Sequence, residues 1–325
     1  MRFLIFFSLC CFWITSLGWA GPAIVYIGKK ADGAYNQSLH QGVEEFQSKQ
    51  GIECAEIETP ADGSTYIATI QQCIAEKHSP IILPYASQRP ALTPIISQHK
   101  DTNFIFLSFG EVDLPNVQSF SFADEEGGFL AGALAALMSK TRTIGFVYTS
   151  DQHPTALHFR AGYIQGAKFV DPAITIVEGQ LGNKQADWSD TQKAQQLAAR
   201  LIAQKADVLF PVVGYAGLGV LAQAAKGGIY AIGVDINQNS LYPETIIGSL
   251  IKHNGKAVYI ALSLTSSGTR RDGVKRLQLI QSAMEMQFNG IEEGLVPQTI
   301  KDQLERLKNQ IILGQIKIAR DYKPI

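Results

Sequence analysis

The sequence predicts an α/β protein of two lobes, each a parallel β-sheet covered by helices, around a central cleft. Short apolar runs alternate with helical stretches from Ala23 to Phe109, and the same alternation restarts at Thr143. Strands that alternate with helices at this spacing form βαβ units and therefore parallel sheets. The runs 207–213 and 229–234 also lack polar alternation, which is typical of strands covered on both faces.

The first array contains five apolar runs, with a helix predicted in each of the first three gaps. The runs are 23–28, 52–58, 80–85, 103–109 and 117–122, and the helices are 37–50, 65–77 and 91–99. A long helix over 125–140 follows, with Asp124 as its expected N-cap because Asp is a preferred capping residue. This helix is a candidate bridge between the lobes.

The second array repeats the pattern. Its runs are 143–149, 174–179, 207–213, 229–234 and 245–252, and its helices are 156–170, 189–205, 256–266 and 297 to about 313. The stretch from Val274 to Phe288 is ill-defined and stays unassigned. The predicted lobes are 21–123 plus about 253–280, and 124–252 plus about 281–325. Short hinge segments are expected to join them.

Residues 1–20 have the features of a secretory signal peptide, with Arg2, an apolar run and small residues before a cut after Ala20. The apolar core of about 16 residues is short for a bilayer span of ~20, although an uncleaved anchor stays an alternative. Cys10 and Cys11 lie inside this core, so neither is placed to carry a lipid. We therefore expect an exported, periplasmic protein without a lipid anchor.

Net charge and cysteine content limit which partners the protein can bind and which cross-links it can form. The formal net charge is −1 with 18% charged residues, which argues against a nucleic-acid footprint or a polybasic membrane patch. Cys54 and Cys73 remain after the signal peptide. In an exported protein this pair can form a disulfide, or both residues can be buried small hydrophobes.

The sequence shows no motif for catalysis, a cofactor or a metal. GxSxG, P-loop and HExxH patterns are absent, and the glycines of GYAGLG lie too deep in the chain for a dinucleotide fingerprint. His153 and His158 are separated by Pro154 and make a poor metal pair. With no nucleophile beside a base, we expect a binding protein rather than an enzyme.

The best candidate binding residues follow three strands of the second array. In open α/β sheets ligands bind outside the carboxyl ends of the strands, which selects Phe210, Gly214, Tyr215 and Asp235. A carboxylate directly after the run YAIGV is poorly explained by packing, because buried charges need partners. The Asp235 carboxylate either accepts hydrogen bonds from ligand hydroxyls or braces the following turn. Lys252 supplies a complementary hydrogen-bond donor.

Further candidates lie before two helices. The segment KADGAYNQSLHQG places Asp32, Tyr35 and Asn36 in the loop after the first strand. Asn36 either caps the first helix or offers its amide to a ligand, and Tyr35 offers an aromatic face. Trp188 in QADWSD and Phe210 either stack on a planar ligand ring or pack within the protein.

Six segments in this order and spacing resemble the basic membrane protein family of substrate-binding proteins. They are DGAYNQSLHQG, FADEEGGFLAGALAAL, WSD before a helix, ADVLFPVVGYAGLGV, AIGVDINQ and GSLIKHNGKAVY. The resemblance is to the purine-nucleoside receptor type, with the periplasmic binding protein type I fold of two Rossmann-like lobes and a hinge. It implies a receptor, expected to be monomeric, that delivers a nucleoside to the permease of an ABC transporter.

The resemblance also implies roles for single residues. Tyr35 and Asn36 would contact the base, Phe210 would stack on its other face, and Asp235 and Lys252 would bind ribose hydroxyls.

Three departures from the family pattern leave alternatives open. Ser108 stands where the family often has an acidic residue that recognises the purine edge. Tyr215 stands where a Gly is usual, and we expect its side chain to narrow the pocket. The usual lipid-anchor cysteine is not in place. A non-nucleoside aromatic solute such as a flavin, or a nucleoside-processing enzyme on a similar frame, are therefore the alternatives.

Overall fold

The computed structural model describes residues 20–107, 114–268, 273–288 and 294–321. The predicted signal peptide, up to residue 19, and Ser108 lie outside these ranges. In chain order the strands are β1 (Ala23–Ile27), β2 (Ala55–Thr59), β3 (Ile81–Leu83), β4 (Phe104–Leu107), β5 (Val117–Phe122), β6 (Thr143–Tyr148), β7 (Thr175–Gln180), β8 (Val208–Val212), β9 (Tyr230–Asp235), β10 (Ile246–Lys252), β11 (Gly273–Leu277) and β12 (Met284–Phe288).

Helices fill most of the connections between these strands. In chain order they are α1 (Tyr35–Gln50), α2 (Tyr66–Ala75), α3 (Arg89–Gln98), α4 (Asp124–Met138), α5 (Pro154–Val170), α6 (Thr191–Ala203), α7 (Gly217–Gly227), α8 (Asn254–Ser266) and α9 (Gln298–Ile312). Within the described ranges, no helix combines the length and apolar character needed to cross a bilayer.

The described strands form two six-stranded sheets. The first has the order β11-β5-β4-β3-β1-β2 and the second β12-β10-β9-β8-β6-β7. Every pairing is parallel except that of β12 with β10. The predicted α/β class with two parallel sheets is confirmed. The chain passes from one sheet to the other between β5 and β6, between β10 and β11, and between β11 and β12.

The unassigned stretch from Val274 to Phe288 contributes one edge strand to each sheet. β11 pairs in parallel with β5, and β12 pairs antiparallel with β10. Each strand is five residues long, and the chain between them changes sheets. Neither strand is a continuous apolar run, because an edge strand has a neighbour on one side only. Sequence periodicity is therefore weak here.

Helices α4 and α5 pack unusually closely behind the second sheet. A Cβ atom placed on Gly132 would lie 2.0 Å from the backbone oxygen of Tyr163, and one on Gly166 would lie 2.0 Å from that of Phe129. Only residues without a side chain permit this approach. Gly128 and Gly132 of the segment EEGGFLAGAL are therefore explained by packing of α4 against α5, whereas a Cβ on Gly127 would meet Met284 and Leu250 of the second sheet.

The structure corrects one local prediction and decides between two alternatives at another position. Ala123, not Asp124, is the N-cap of α4, and Asp124 is the first helical residue. The Asp124 carboxylate instead lies 2.7 Å from the Lys252 ammonium, with both side chains 2% exposed. Cys54 and Cys73 are free thiols, buried in separate hydrophobic clusters. Of the two alternatives for this pair, the structure therefore shows two buried small hydrophobes.

Candidate ligand-binding site

A cavity of about 700 Å³ lies between the carboxyl ends of the strands of both sheets. Its wall includes eight of the ten side chains or glycines selected from the sequence. These are Asp32, Tyr35, Asn36, Trp188, Gly214, Tyr215, Asp235 and Lys252. The structure therefore brings together residues that are far apart in the chain. Their contact with a ligand remains a prediction.

Asp32 and Asn36 build the wall contributed by the first sheet. The Asp32 carboxylate accepts from the backbone N–H groups of Ala34, Asn36 and Gln37, at 2.8, 3.1 and 3.0 Å. It thus satisfies the free N–H groups at the start of α1, while Ala34 is the N-cap residue. The alternative that Asn36 caps α1 is wrong. Burial raises the pKa of Asp32, and the three backbone hydrogen bonds oppose that rise.

The amide of Asn36 holds the loop after β1. Its Nδ2 donates to the carbonyl oxygens of Ile27 and Lys29, both at 2.9 Å, and its Oδ1 accepts from the Tyr85 hydroxyl at 2.7 Å. The Tyr35 hydroxyl donates to the Pro84 carbonyl at 3.0 Å. Both side chains are therefore held rigidly at the cavity wall. Tyr85 also lines the cavity, and sequence reasoning missed it although it closes the apolar run PIILPY.

Asp235 ends β9 in a strained conformation. Its φ of 69° lies in the left-handed region, which typically costs a residue other than Gly ~1–3 kcal/mol. The carboxylate is half-buried and accepts from Asn254 Nδ2 at 3.3 Å. Burial raises the pKa of Asp235 to about 6, Lys252 opposes the rise, and Asp32 adds to it. Strain and a perturbed pKa together, at a cavity wall, are features of functional sites.

Lys252 ends the neighbouring strand β10 and forms the buried pair with Asp124. Its ammonium lies 4.6 Å from the centre of the Phe122 ring, a distance suited to a cation–π contact. An ammonium has three N–H donors, and the pair with Asp124 uses one of them. Lys252 can therefore hold Asp124 and donate into the cavity at the same time.

Trp188 and His153 form an aromatic pair on the wall contributed by the second sheet. Their rings meet edge to face with centroids 4.9 Å apart, and Trp188 Nε1 donates to the Gly182 carbonyl at 3.2 Å. Burial lowers the pKa of His153 to about 4, and the nearby Lys252 charge lowers it further. The imidazole is therefore neutral at neutral pH. Sequence reasoning discounted His153 as a metal ligand and missed its place at the cavity.

The prediction that Phe210 stacks on a ligand is wrong for this structure. Phe210 is 0% exposed, and its ring packs on Phe146, Phe159 and Tyr163 in the core of the second sheet. Alternate residues of a strand point to opposite faces, and β8 turns this ring into the layer beneath α5. Phe159, which lies in α5 rather than at the end of a strand, lines the cavity instead.

Tyr215 and Gly214 lie in a short 3₁₀ helix that follows β8. Tyr215 is 41% exposed at the mouth of the cavity, and Gly214 has a φ of 61° that favours glycine. Tyr215 can therefore alter the shape of the entrance without displacing the core.

Hydrogen bonds join the two walls. Gln238 Nε2, after β9, donates to the Gly33 carbonyl at 2.9 Å, and the Ser87 hydroxyl donates to Gln185 Oε1 at 3.2 Å. Gln238 is 4% exposed, whereas the second contact is at the surface. The structure is thus a closed arrangement with the cavity between the sheets. Among the described residues, no group of three or more His, Cys, Asp or Glu side chains is arranged to hold a metal ion.

A cavity between two sheets, with aromatic rings and a buried acid and base in its wall, is the form of a protein that binds a small solute. The comparisons with known proteins agree. The family described as "ABC transporter substrate-binding protein PnrA-like" matches residues 22–321. The chain therefore belongs to this family of substrate-binding proteins and is not an enzyme, as the sequence predicts. Such proteins serve a transporter and work outside the cytoplasm.

Relatives and solved structures are consistent with this membership. Basic membrane protein C of Borreliella burgdorferi (strain ATCC 35210 / DSM 4680 / CIP 102532 / B31) is 26% identical, over 89% of this chain and 85% of the relative. Transcriptional activator protein med of Bacillus subtilis (strain 168) is 30% identical, over 64% of this chain and 62% of the relative. An ABC transporter solute-binding protein from Aeropyrum pernix K1 has a TM-score of 0.80 at 19% identity, covering 92% of this chain and 93% of that one. The last likeness shows the fold, and the predicted periplasmic binding protein type I fold is confirmed.

Proposed function

We propose that this protein captures a nucleoside in the cavity between its two sheets and delivers it to an ABC importer. The observation that carries the proposal is Asp235, a strained, half-buried acid at the cavity wall beside Lys252. Together they supply an acceptor and a donor for the paired hydroxyls of a sugar. A hydrogen bond to a charged group is worth about 1.5–3 kcal/mol, enough to orient a ligand.

The rest of the wall suits the ring of a nucleoside. Tyr35 and Asn36 are held on one side of the cavity, and Trp188 with His153 lies on the other. Aromatic faces favour planar rings by about 0.5–1.5 kcal/mol each beyond the area buried. We assign Tyr35 and Trp188 to the ring and Asp235 and Lys252 to the sugar. Asp32 holds α1 in place and acts indirectly.

The cellular setting belongs to the same proposal. The sequence features of residues 1–20 support export to the periplasm, with cleavage after Ala20 and no lipid anchor. We also propose that the mature chain, in two lobes of 21–123 plus about 253–280 and 124–252 plus about 281–325, works as a monomer with a transporter permease.

A flavin or another non-nucleoside aromatic solute is the second candidate. A cavity of about 700 Å³ falls within the range of ~300–1,000 Å³ typical of sites for drug-sized ligands, so volume admits either. The exposed Tyr215 at the mouth favours this candidate, because its ring offers a further planar surface near the entrance.

Thermal unfolding with a ligand panel tests the proposal. A ligand that binds only the folded state stabilises it by about 2.7 kcal/mol at a concentration of 100 Kd, so a specific ligand raises Tm by several degrees. The panel contains purine and pyrimidine nucleosides, free bases, ribose and riboflavin, added to protein stripped of copurifying ligand. We expect a shift with at least one nucleoside and none with ribose. A shift with riboflavin alone would replace the nucleoside by the second candidate.

A further inference from the structure

Thr149 is a cavity residue that the proposed roles leave unused. It directly follows β6 at the carboxyl edge of the second sheet, lines the cavity, and is 5% exposed. Its hydroxyl oxygen has no hydrogen-bond partner among the described residues. The backbone around it is fixed, since the Thr149 carbonyl accepts from Gly182 N–H at 2.9 Å.

Buried hydroxyls on the opposite wall of the cavity, contributed by the first sheet, are paired within the protein. Thr59 Oγ1 donates to the Tyr26 carbonyl at 2.7 Å, and the Tyr85 hydroxyl donates to Asn36 Oδ1 at 2.7 Å. A buried hydroxyl without a partner is disfavoured, and natural proteins contain few of them. The unpaired Thr149 hydroxyl at a ligand cavity therefore points to a partner that comes from outside the chain.

The position of Thr149 in the sheet indicates which part of a ligand it meets. Strands β9, β8 and β6 are neighbours in that order, so Asp235 and Thr149 are separated by two strand spacings, ~10 Å. Val213, after β8, lines the cavity between them. If Asp235 binds the sugar of a nucleoside, the ring edge remote from the sugar lies toward Thr149.

We propose that the Thr149 hydroxyl hydrogen-bonds a heteroatom on the ring edge remote from the sugar, and so helps select the base. This assignment rests on the proposed nucleoside function and adds a residue that determines specificity. The hydroxyl oxygen is almost fully covered in this structure, so the contact requires a rotation about χ1. That rotation breaks no hydrogen bond to a described residue, and a hydroxyl can either donate or accept.

Two matched variants separate the hydroxyl from the shape of the side chain. Thr149→Val keeps the shape and removes the hydroxyl, whereas Thr149→Ser keeps the hydroxyl. Calorimetric titration is carried out with inosine and with three analogues altered at the remote edge: 1-deazainosine, which lacks N1, 7-deazainosine, which lacks N7, and purine riboside, which lacks both O6 and the proton on N1. Thermal unfolding without ligand reports whether either variant disturbs the fold.

We expect Thr149→Val to weaken inosine binding about tenfold, which corresponds to about 1.4 kcal/mol. It should leave unchanged the affinity for the analogue that lacks the contacted atom, as a double-mutant cycle requires. Thr149→Ser should bind within about threefold of the wild type, and neither variant should have a lower Tm without ligand.

Two results would overturn the role of Thr149 and leave the nucleoside function standing. One is an unchanged inosine affinity in Thr149→Val, and the other is the same loss for inosine and all three analogues. Failure of the wild-type chain to bind any nucleoside would overturn the proposed function itself, and the assignment of Thr149 with it.

Discussion

At the scale of single residues, the candidate site consists mainly of side chains that lie at or just after the ends of strands and are far apart in the chain. Asp235 follows a strand in sequence, and this position alone was enough to place it at the cavity. Phe210 was misplaced because a strand alternates its faces, and the sequence did not show which face meets the cavity. Tyr85 and Thr149 also follow strands, and His153 lies a few residues beyond β6. Inspecting the end of every strand could have found them.

Asp235 gives a prediction about pH. Its pKa of about 6 in the folded chain, against an ordinary 3.8, means that ionisation of the carboxylate destabilises the folded state by about 3 kcal/mol. Asp235→Asn removes this cost, and Asn tolerates the left-handed φ. The variant should therefore be more stable than the wild type above pH 6, and the difference should vanish as pH falls toward 4.

Urea unfolding of both proteins between pH 4 and 8 measures this difference. Other titrating groups are common to both chains, so they cancel in the comparison. A difference in unfolding free energy that stays constant with pH would show that ionisation of Asp235 is not its source.

At the scale of elements, the sequence predicted most helices and buried strands because their apolar periodicity is strong. The sequence did not predict the edge strands β11 and β12, since each is short and lacks a continuous apolar run. The Gly-rich segment of α4 was recognised as a family motif, but its physical reason, backbone contact with α5, became visible only in the structure.

The contact between α4 and α5 gives a prediction about stability. Gly132→Ala should destabilise the protein by about 1–3 kcal/mol or more, because the new methyl group would overlap the Tyr163 backbone oxygen. Gly217→Ala in α7 is the matched control, since its Cβ would meet its nearest neighbour at an ordinary 3.6 Å. Chemical denaturation measures both. Equal stability of the two variants would mean that the helices can separate at little cost.

At the scale of the whole molecule, the proposed function requires the two sheets to open and close around the cavity. Gln238 is one buried side chain that bridges them, through its bond to the Gly33 carbonyl. Its Oε1 also accepts from Val234 N–H at 3.0 Å within the second sheet. Near residues 123 and 253 the chain passes from one sheet to the other, and hinge segments are predicted there.

Gln238→Glu should favour the open arrangement. It retains an oxygen that can accept from Val234 N–H but places a second oxygen against the Gly33 carbonyl, which removes the bridge and adds repulsion. We expect a larger radius of gyration by small-angle X-ray scattering and about tenfold weaker ligand binding, as for the loss of ~1.4 kcal/mol. Ser87→Ala, which removes the surface contact, is the control and should change neither. A Gln238→Glu protein with wild-type dimensions and affinity would contradict this role.

The central claim is that the cavity binds a nucleoside through Asp235. Calorimetric titration of nucleosides into the stripped wild-type protein and the Asp235→Asn variant tests it most directly. We predict saturable binding at one site per chain, weakened about 10- to 100-fold in the variant by loss of a charged acceptor worth ~1.5–3 kcal/mol. Absence of binding to the wild type, or equal affinity in the two proteins, would contradict the account.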